Sequence, residues 1–179
     1  SNSVSAALGM ARARTLMGDH YSVISVIGDG ALTGGLAYEG LNDAGQSREP
    51  LIVVLNDNGM SIQPNVGGIA KFLAKQRLKP SYFNCKRVFH AVTGRLPGGK
   101  AIDRVTHRVK TWMKNALIGS NMVDEMGFTY LGPVDGHDIG KMVYLLQQAK
   151  ALQCPVLLHV TTTKGRGYSY AEENPDEYH

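Results

Sequence analysis

The chain has 179 residues, enough for one hydrophobic core and too few for two domains of ordinary size. Hydrophobic residues make up 43% and charged residues 19%, the balance of a globular domain, and no stretch approaches the ~20 consecutive apolar residues of a membrane-spanning helix, so no membrane partner is expected. The net charge of +4 is unevenly spread: residues 71–114 hold twelve Lys or Arg against one acid, Asp103, while the remainder holds seven bases and fourteen acids.

A stretch that basic can meet a polyanion. It carries no RNP motif, zinc finger or ladder of stacking aromatics, which weighs against nucleic acid as a partner. A solvated, mobile basic insertion is the bland reading, and attraction of small anionic metabolites is another. Cys85 and Cys154 fall in no CxxC pattern. Spacing alone leaves a disulfide between them open, but two isolated thiols point to a reducing, cytoplasmic compartment.

In chain order, residues 3–17 place Val4, Ala7, Leu8, Ala11 and Leu16 at helical spacing, with Gly18 as the stop. The opening residue is Ser1 rather than Met, so the start is expected to be a cut edge of something larger. Residues 21–27 read as a strand on the run Val23, Ile24, Val26 and Ile27. Gly28-Asp29-Gly30 breaks it, and a helix is expected over 34–44 with Gly45 as its end. Residues 51–55 form a near-continuous apolar strand, as a parallel sheet covered on both faces requires. Asn56-Asp57-Asn58-Gly59 is a dense turn signal.

Beyond it the pattern loosens into a short helix over 66–75, a loop or insert over 76–100 with Pro80, Pro97, Gly98 and Gly99, and basic helical periodicity over 102–117. Order resumes with a strand at 128–131, a turn at Gly132-Pro133, a helix over 138–152 and a strand at 155–160. The tail from Thr161, rich in Gly and Tyr, is expected to be irregular. This alternation predicts an α/β fold, a parallel sheet flanked by helices. A single domain over 1–179 is expected, truncated at both ends, with a mobile basic insertion at about 71–114.

The chemistry concentrates at the first strand-to-helix junction, Gly28-Asp29-Gly30-Ala31-Leu32-Thr33-Gly34. Such a junction lies at the carboxyl edge of a parallel sheet, where ligands bind, and glycines with helix N–H groups suit a phosphate. The spacing is GxGxxxG rather than the dinucleotide fingerprint, and no Lys-Ser/Thr follows as in a Walker loop. Asp29 decides the reading. A carboxylate in a bare phosphate cradle repels its ligand, and a divalent cation between them removes the conflict. Magnesium takes about six oxygens, commonly from one or two carboxylates, phosphates and water. Asp29 therefore predicts a metal, and the metal a diphosphate.

Asn58, at the end of the next strand, is the second expected ligand, with a nearby main-chain carbonyl such as that of Met60; Asp57 competes on chemistry alone. Plainer readings stand beside these. Asp29 can close an Asx-turn, and Asn58-Gly59 can be an ordinary turn. His137 can belong to a turn in which Asp138 caps the next helix. Tyr168 and Tyr170 can be packing aromatics, and Glu39 reads as a structural or interface carboxylate rather than an acid catalyst.

GDGALTGGLAYEGLNDAG joined to LIVVLNDNGMSIQPNVGG resembles the deoxyxylulose-phosphate synthase family of thiamine diphosphate enzymes, with Asp29 and Asn58 twenty-nine positions apart. The stretches 127–138, 163–168 and 171–179 agree, and the resemblance is poorest over 72–100. It implies a thiamine diphosphate-binding, transketolase-like fold and a transferase that condenses pyruvate with glyceraldehyde 3-phosphate to 1-deoxy-D-xylulose 5-phosphate and carbon dioxide. That product feeds isoprenoid, thiamine and pyridoxal biosynthesis, and the family forms homodimers.

Carried over by position, Asp29, Asn58 and the Met60 carbonyl would hold magnesium. Gly30, Ala31, Asn58 and Tyr168 would touch thiamine diphosphate, and His179 would face the substrate as the catalytic candidate. The Gly-His pair of a cofactor loop expected just before residue 3 is absent, and the glutamate that activates the cofactor ring would lie beyond His179. The chain alone is therefore expected to be inactive. A transketolase or 2-oxoacid dehydrogenase component shares the metal motif, and a non-catalytic polyanion-binding module is the alternative from another class. The LNDN run and the PVDGHD, KGRGY and His179 order favour the synthase.

Overall fold

The computed structural model describes residues 2–59, 122–175 and 177–178. The helices expected over 66–75 and 102–117, the basic insertion, Cys85, Met60 and His179 lie outside the described residues.

Helix α1 (Ser3–Met17) has the expected bounds. Gly18 ends it in the left-handed region at φ 73°, and the amides of Gly18 and Asp19 return to the carbonyls of Thr15 and Arg14. Val4, Ala7, Leu8 and Ala11 form the buried face, whereas Leu16 points to solvent at 88% exposure. Strand β1 (Ile24–Gly28) starts later than the apolar run suggests. The turn expected at the glycines is a short helix, α2 (Asp29–Leu32).

Helix α3 (Gly35–Ser47) runs through Gly45 instead of stopping there. A Cβ on Gly45 would sit 1.8 Å from the carbonyl oxygen of Met126, so this glycine marks a close approach within the helix, not its end. Strand β2 (Ile52–Asp57) extends through Asn56 and Asp57, which the turn signal had claimed.

After α4 (Met122–Glu125), strand β3 (Thr129–Asp135) continues through Gly132-Pro133, where a turn was expected, by a register shift between Leu131 and Val134. Helix α5 (Ile139–Ala151) is capped by Asp138, whose side chain accepts the Lys141 amide at 3.0 Å. Strand β4 (Val156–Thr161) follows, and the tail contains a further short helix, α6 (Ser169–Glu173), rather than wholly irregular chain.

All pairings are parallel, in the order β1-β2-β4-β3. The expected α/β architecture of a parallel sheet flanked by helices is therefore what the chain forms. The step from β1 to β2 and the step from β3 to β4 run in opposite directions along the sheet. Crossovers of one hand then put their helices on opposite faces. Leu8 and Ala11 of α1 and Leu41 and Ala44 of α3 pack with Val53, Leu55 and Leu157 on one face. On the other, Leu145 of α5 packs with Val134, Leu158 and Val160, and Ala149 with Ile52 and Val156.

Central strand β4 is covered on both sides, which is why its sequence shows no alternation. Burying Leu157 and Leu158 contributes roughly 1.5–3 kcal/mol each. Among the described residues β1 is an edge: Ile24 and Val26, on the α5 side, are 48% and 63% exposed. Among the described residues no helix is long and apolar enough to cross a membrane.

Candidate functional site

Parallel strands share one carboxyl edge, so Asp29 after β1, the 57–59 segment after β2 and the 161–168 segment after β4 leave the sheet on the same side. The edge of greatest interest lies between β2 and β4, neighbours whose flanking crossover helices lie on opposite faces; ligands of open α/β sheets bind at such a crevice.

Asp29 opens α2 and is 3% exposed. One carboxylate oxygen accepts the adjacent Gly30 amide at 3.0 Å, and the other accepts the Gly59 amide at 3.2 Å. The second bond rules out a purely local Asx-turn, because it ties the end of β1 to the residue that follows Asn58. Gly59 sits at φ 73°, a conformation in which glycine carries no Cβ penalty. Asn58 is half-buried between Asp57 and Gly59. Gly30 is half-buried and Ala31 exposed, both in the single turn of α2. Sequence reasoning thus named a pair of strand ends that the fold does bring together.

Asp57, the competing ligand on chemistry alone, is tied to the core of the sheet. Its Oδ2 lies 2.8 Å from His159 Nε2, with both side chains fully buried, and its Oδ1 accepts the same Gly59 amide at 3.1 Å. His159 Nδ1 is 2.7 Å from the Tyr130 hydroxyl. Burial first, then the negative charges of Asp57 and Asp124, push the Tyr130 phenol well above its ordinary range, so it keeps its proton. In a neutral imidazole, Nδ1 would accept from the Tyr130 hydroxyl and Nε2–H would donate to Asp57.

The sheet register explains the geometry. Leu55 pairs with His159 and Tyr130 with Leu157, which sets Asp57, His159 and Tyr130 on one face in a diagonal across β2, β4 and β3. Neither Tyr130 nor His159 was singled out from the sequence. The available signal was a histidine inside the apolar run 156–160, since a buried polar side chain demands partners.

The exits of β2 and β4 are laced together. Thr162 donates its amide to the Asp57 carbonyl at 3.0 Å and its hydroxyl to the Asn56 side chain at 2.7 Å. His137 does more than sit in a turn: its Nε2 accepts the Thr163 amide at 2.9 Å, joining the β3–α5 turn to the chain leaving β4. Tyr168 is exposed at the start of α6, packed with Tyr170 and Tyr178 at ring separations of 5.6 and 5.7 Å. It leaves the same sheet edge but belongs to this aromatic group.

Among the described residues no three His, Cys, Asp or Glu side chains gather as a metal cage. The set expected here is different, with one carboxylate, one amide and one main-chain carbonyl, and magnesium is commonly held by few protein groups plus phosphates. A carboxylate offers about four lone-pair sites, so accepting two amides does not exhaust Asp29. The donor chemistry at Asp29 and Asn58 fits that ion.

A sequence profile described as 1-deoxy-D-xylulose-5-phosphate synthase matches residues 1–162. The 1-deoxy-D-xylulose-5-phosphate synthase of Pelotomaculum thermopropionicum is 52% identical over 179 residues, covering 100% of this chain and 28% of its own. That of Clostridium tetani is 47% identical over 180 residues, covering 100% and 29%. This chain thus spans under a third of the length of these curated relatives. Among solved structures, the transketolase from Campylobacter jejuni matches with a TM-score of 0.59 at 20% identity, over 98% of this chain and 21% of its own; that likeness concerns the fold, which is transketolase-like. With the profile spanning nearly the whole chain and half of the positions identical to such relatives, the chain belongs to the 1-deoxy-D-xylulose-5-phosphate synthase family.

Proposed function

We propose that this segment is the part of a thiamine diphosphate-dependent 1-deoxy-D-xylulose-5-phosphate synthase that anchors the cofactor's diphosphate through magnesium. The observation that carries the reading is the Asp29 carboxylate, buried at the end of β1 and bonded to the Gly59 amide beside Asn58. Asp29 supplies one negative charge and Asn58 a neutral amide oxygen. A single protein carboxylate leaves a divalent ion with positive charge for the phosphates, where two would cancel it. The Met60 carbonyl would complete the protein's share, Gly30 and Ala31 would contact the diphosphate, and Tyr168 would lie beside the cofactor.

Bound thiamine diphosphate supplies the carbanion-stabilising capacity that cleavage of a 2-oxo acid requires. The substrates are pyruvate and glyceraldehyde 3-phosphate, with His179 at the substrate pocket, in a cytoplasmic homodimer. These 179 residues span under a third of the synthases they match and contribute the diphosphate anchor to the longer enzyme. Identity of 47–52% to the synthases over the whole chain, against 20% to the transketolase, supports this choice over a transketolase.

The test is Asp29→Asn in the full-length enzyme. Calorimetric titration is expected to show magnesium-dependent thiamine diphosphate binding weakened by ~10–100-fold, as for loss of a charge-assisted contact. Carbon dioxide release from pyruvate on addition of glyceraldehyde 3-phosphate is expected to fall with it. Binding equal to that of the parent enzyme would remove Asp29 from the site and the reading with it.

A further inference from the structure

The chain from buried Asp57 and His159 to half-buried Tyr130 is polar and unused by the assignment above. It ends where the metal turn begins. Two carboxylates, Asp29 Oδ2 and Asp57 Oδ1, approach one nitrogen, the Gly59 amide, at 3.2 and 3.1 Å. Among the described residues it is Asp57 that turns inward to a histidine: His159 lies in the middle of β4 with no solvent exposure and reaches Asp57 at 2.8 Å. The hydroxyl of Tyr130, on β3, closes the other side of the imidazole at 2.7 Å.

We propose that Asp57, His159 and Tyr130 are positioning residues for the magnesium site. They draw Asp57 into the core, so that it grips the Gly59 amide instead of competing for the cation, and they fix the backbone on both sides of Asn58. This inference rests on the reading that Asp29 and Asn58 hold the ion. Three consequences make physical sense of the geometry. A second carboxylate ligand would offset the ion's charge and weaken its hold on a diphosphate. A turn gripped at Asp57 and at Gly59 leaves Asn58 little freedom, so ligand order precedes binding. The links run across three neighbouring strands, so the site is referred to the rigid centre of the sheet rather than to a loop.

Outer partners of this kind typically change metal affinity by ~10–100-fold when removed. The experiment is a magnesium titration by calorimetry on the full-length enzyme at saturating thiamine diphosphate, well below each variant's melting temperature. Asp57→Asn and His159→Leu are expected to weaken magnesium by ~10–100-fold. Tyr130→Phe, which keeps the ring and loses only the hydroxyl, is expected to weaken it by about fivefold, the effect of one hydrogen bond.

His159→Gln retains a donor near the Nε2 position and is expected to recover most of the affinity lost in His159→Leu. A merely structural role would lower the melting temperature and leave the magnesium constant alone. Unchanged magnesium affinity in His159→Leu and Tyr130→Phe, with Asp29→Asn impaired, overturns the inference while the metal reading stands. Unchanged affinity in Asp29→Asn overturns both. Should His159→Leu not fold, Tyr130→Phe decides.

Discussion

Asp29 and Asn58 stand out in the sequence as candidates because a carboxylate amid glycines at a strand end conflicts with a phosphate cradle until a cation is added. Tyr130 and His159 were not legible. In a strand covered on both faces, polarity does not alternate, so the sequence does not say which way a side chain points. Their partnership with Asp57 depends on a three-strand register that no local pattern encodes. Tyr130 also carries a pH consequence. Its phenol is raised above the ordinary 10.0 by burial, then by Asp57 and Asp124. A raised acid contributes stability that is full below the unfolded value and is lost as pH rises toward the folded one. Native circular dichroism is therefore expected to fade above pH 10, and Tyr130→Phe to blunt that alkaline loss relative to its own neutral-pH stability. Identical alkaline profiles would show that the phenol plays no part in it.

At the scale of elements, the four strands and three long helices of the described residues are legible in the sequence, while the short helices α2, α4 and α6 and the punctuation are not. In sequence Gly45 reads as a helix end and Gly132-Pro133 as a turn, since both are strong breakers locally. Each instead marks a close approach of two backbones. Gly45 in α3 lies against the Met126-Gly127 turn, and a Cβ on Gly132 would come 2.4 Å from the His159 carbonyl oxygen of β4. Tertiary contact, absent from a local reading, decided both. Gly45→Ala accordingly gains nothing from better helix propensity. Its methyl would overlap the Met126 carbonyl, so α3 or the 126–127 turn must shift, at a cost of about 1–3 kcal/mol in urea unfolding. A variant as stable as the parent would mean that the two backbones separate easily. By contrast Asp138 was read correctly as a cap, because capping is a local bond, here to Lys141 three residues on.

For the whole molecule, alternation of elements was enough to predict a parallel α/β sheet, but not that β4 inserts between β2 and β3. That insertion places the exits of β2 and β4 side by side and creates the crevice. It also leaves β1 outermost, hydrogen-bonded to β2 on one margin, with no strand on its other margin among the described residues. A strand of this kind is a template: its second row of amides and carbonyls can zip onto another extended peptide, and the oily strip of Ile24 and Val26 rewards whatever settles there. The 179-residue polypeptide on its own is therefore expected to sediment as concentration-dependent aggregates, and Val26→Lys to shift it toward the single-chain species. If both sediment alike as single chains, that margin is already sealed.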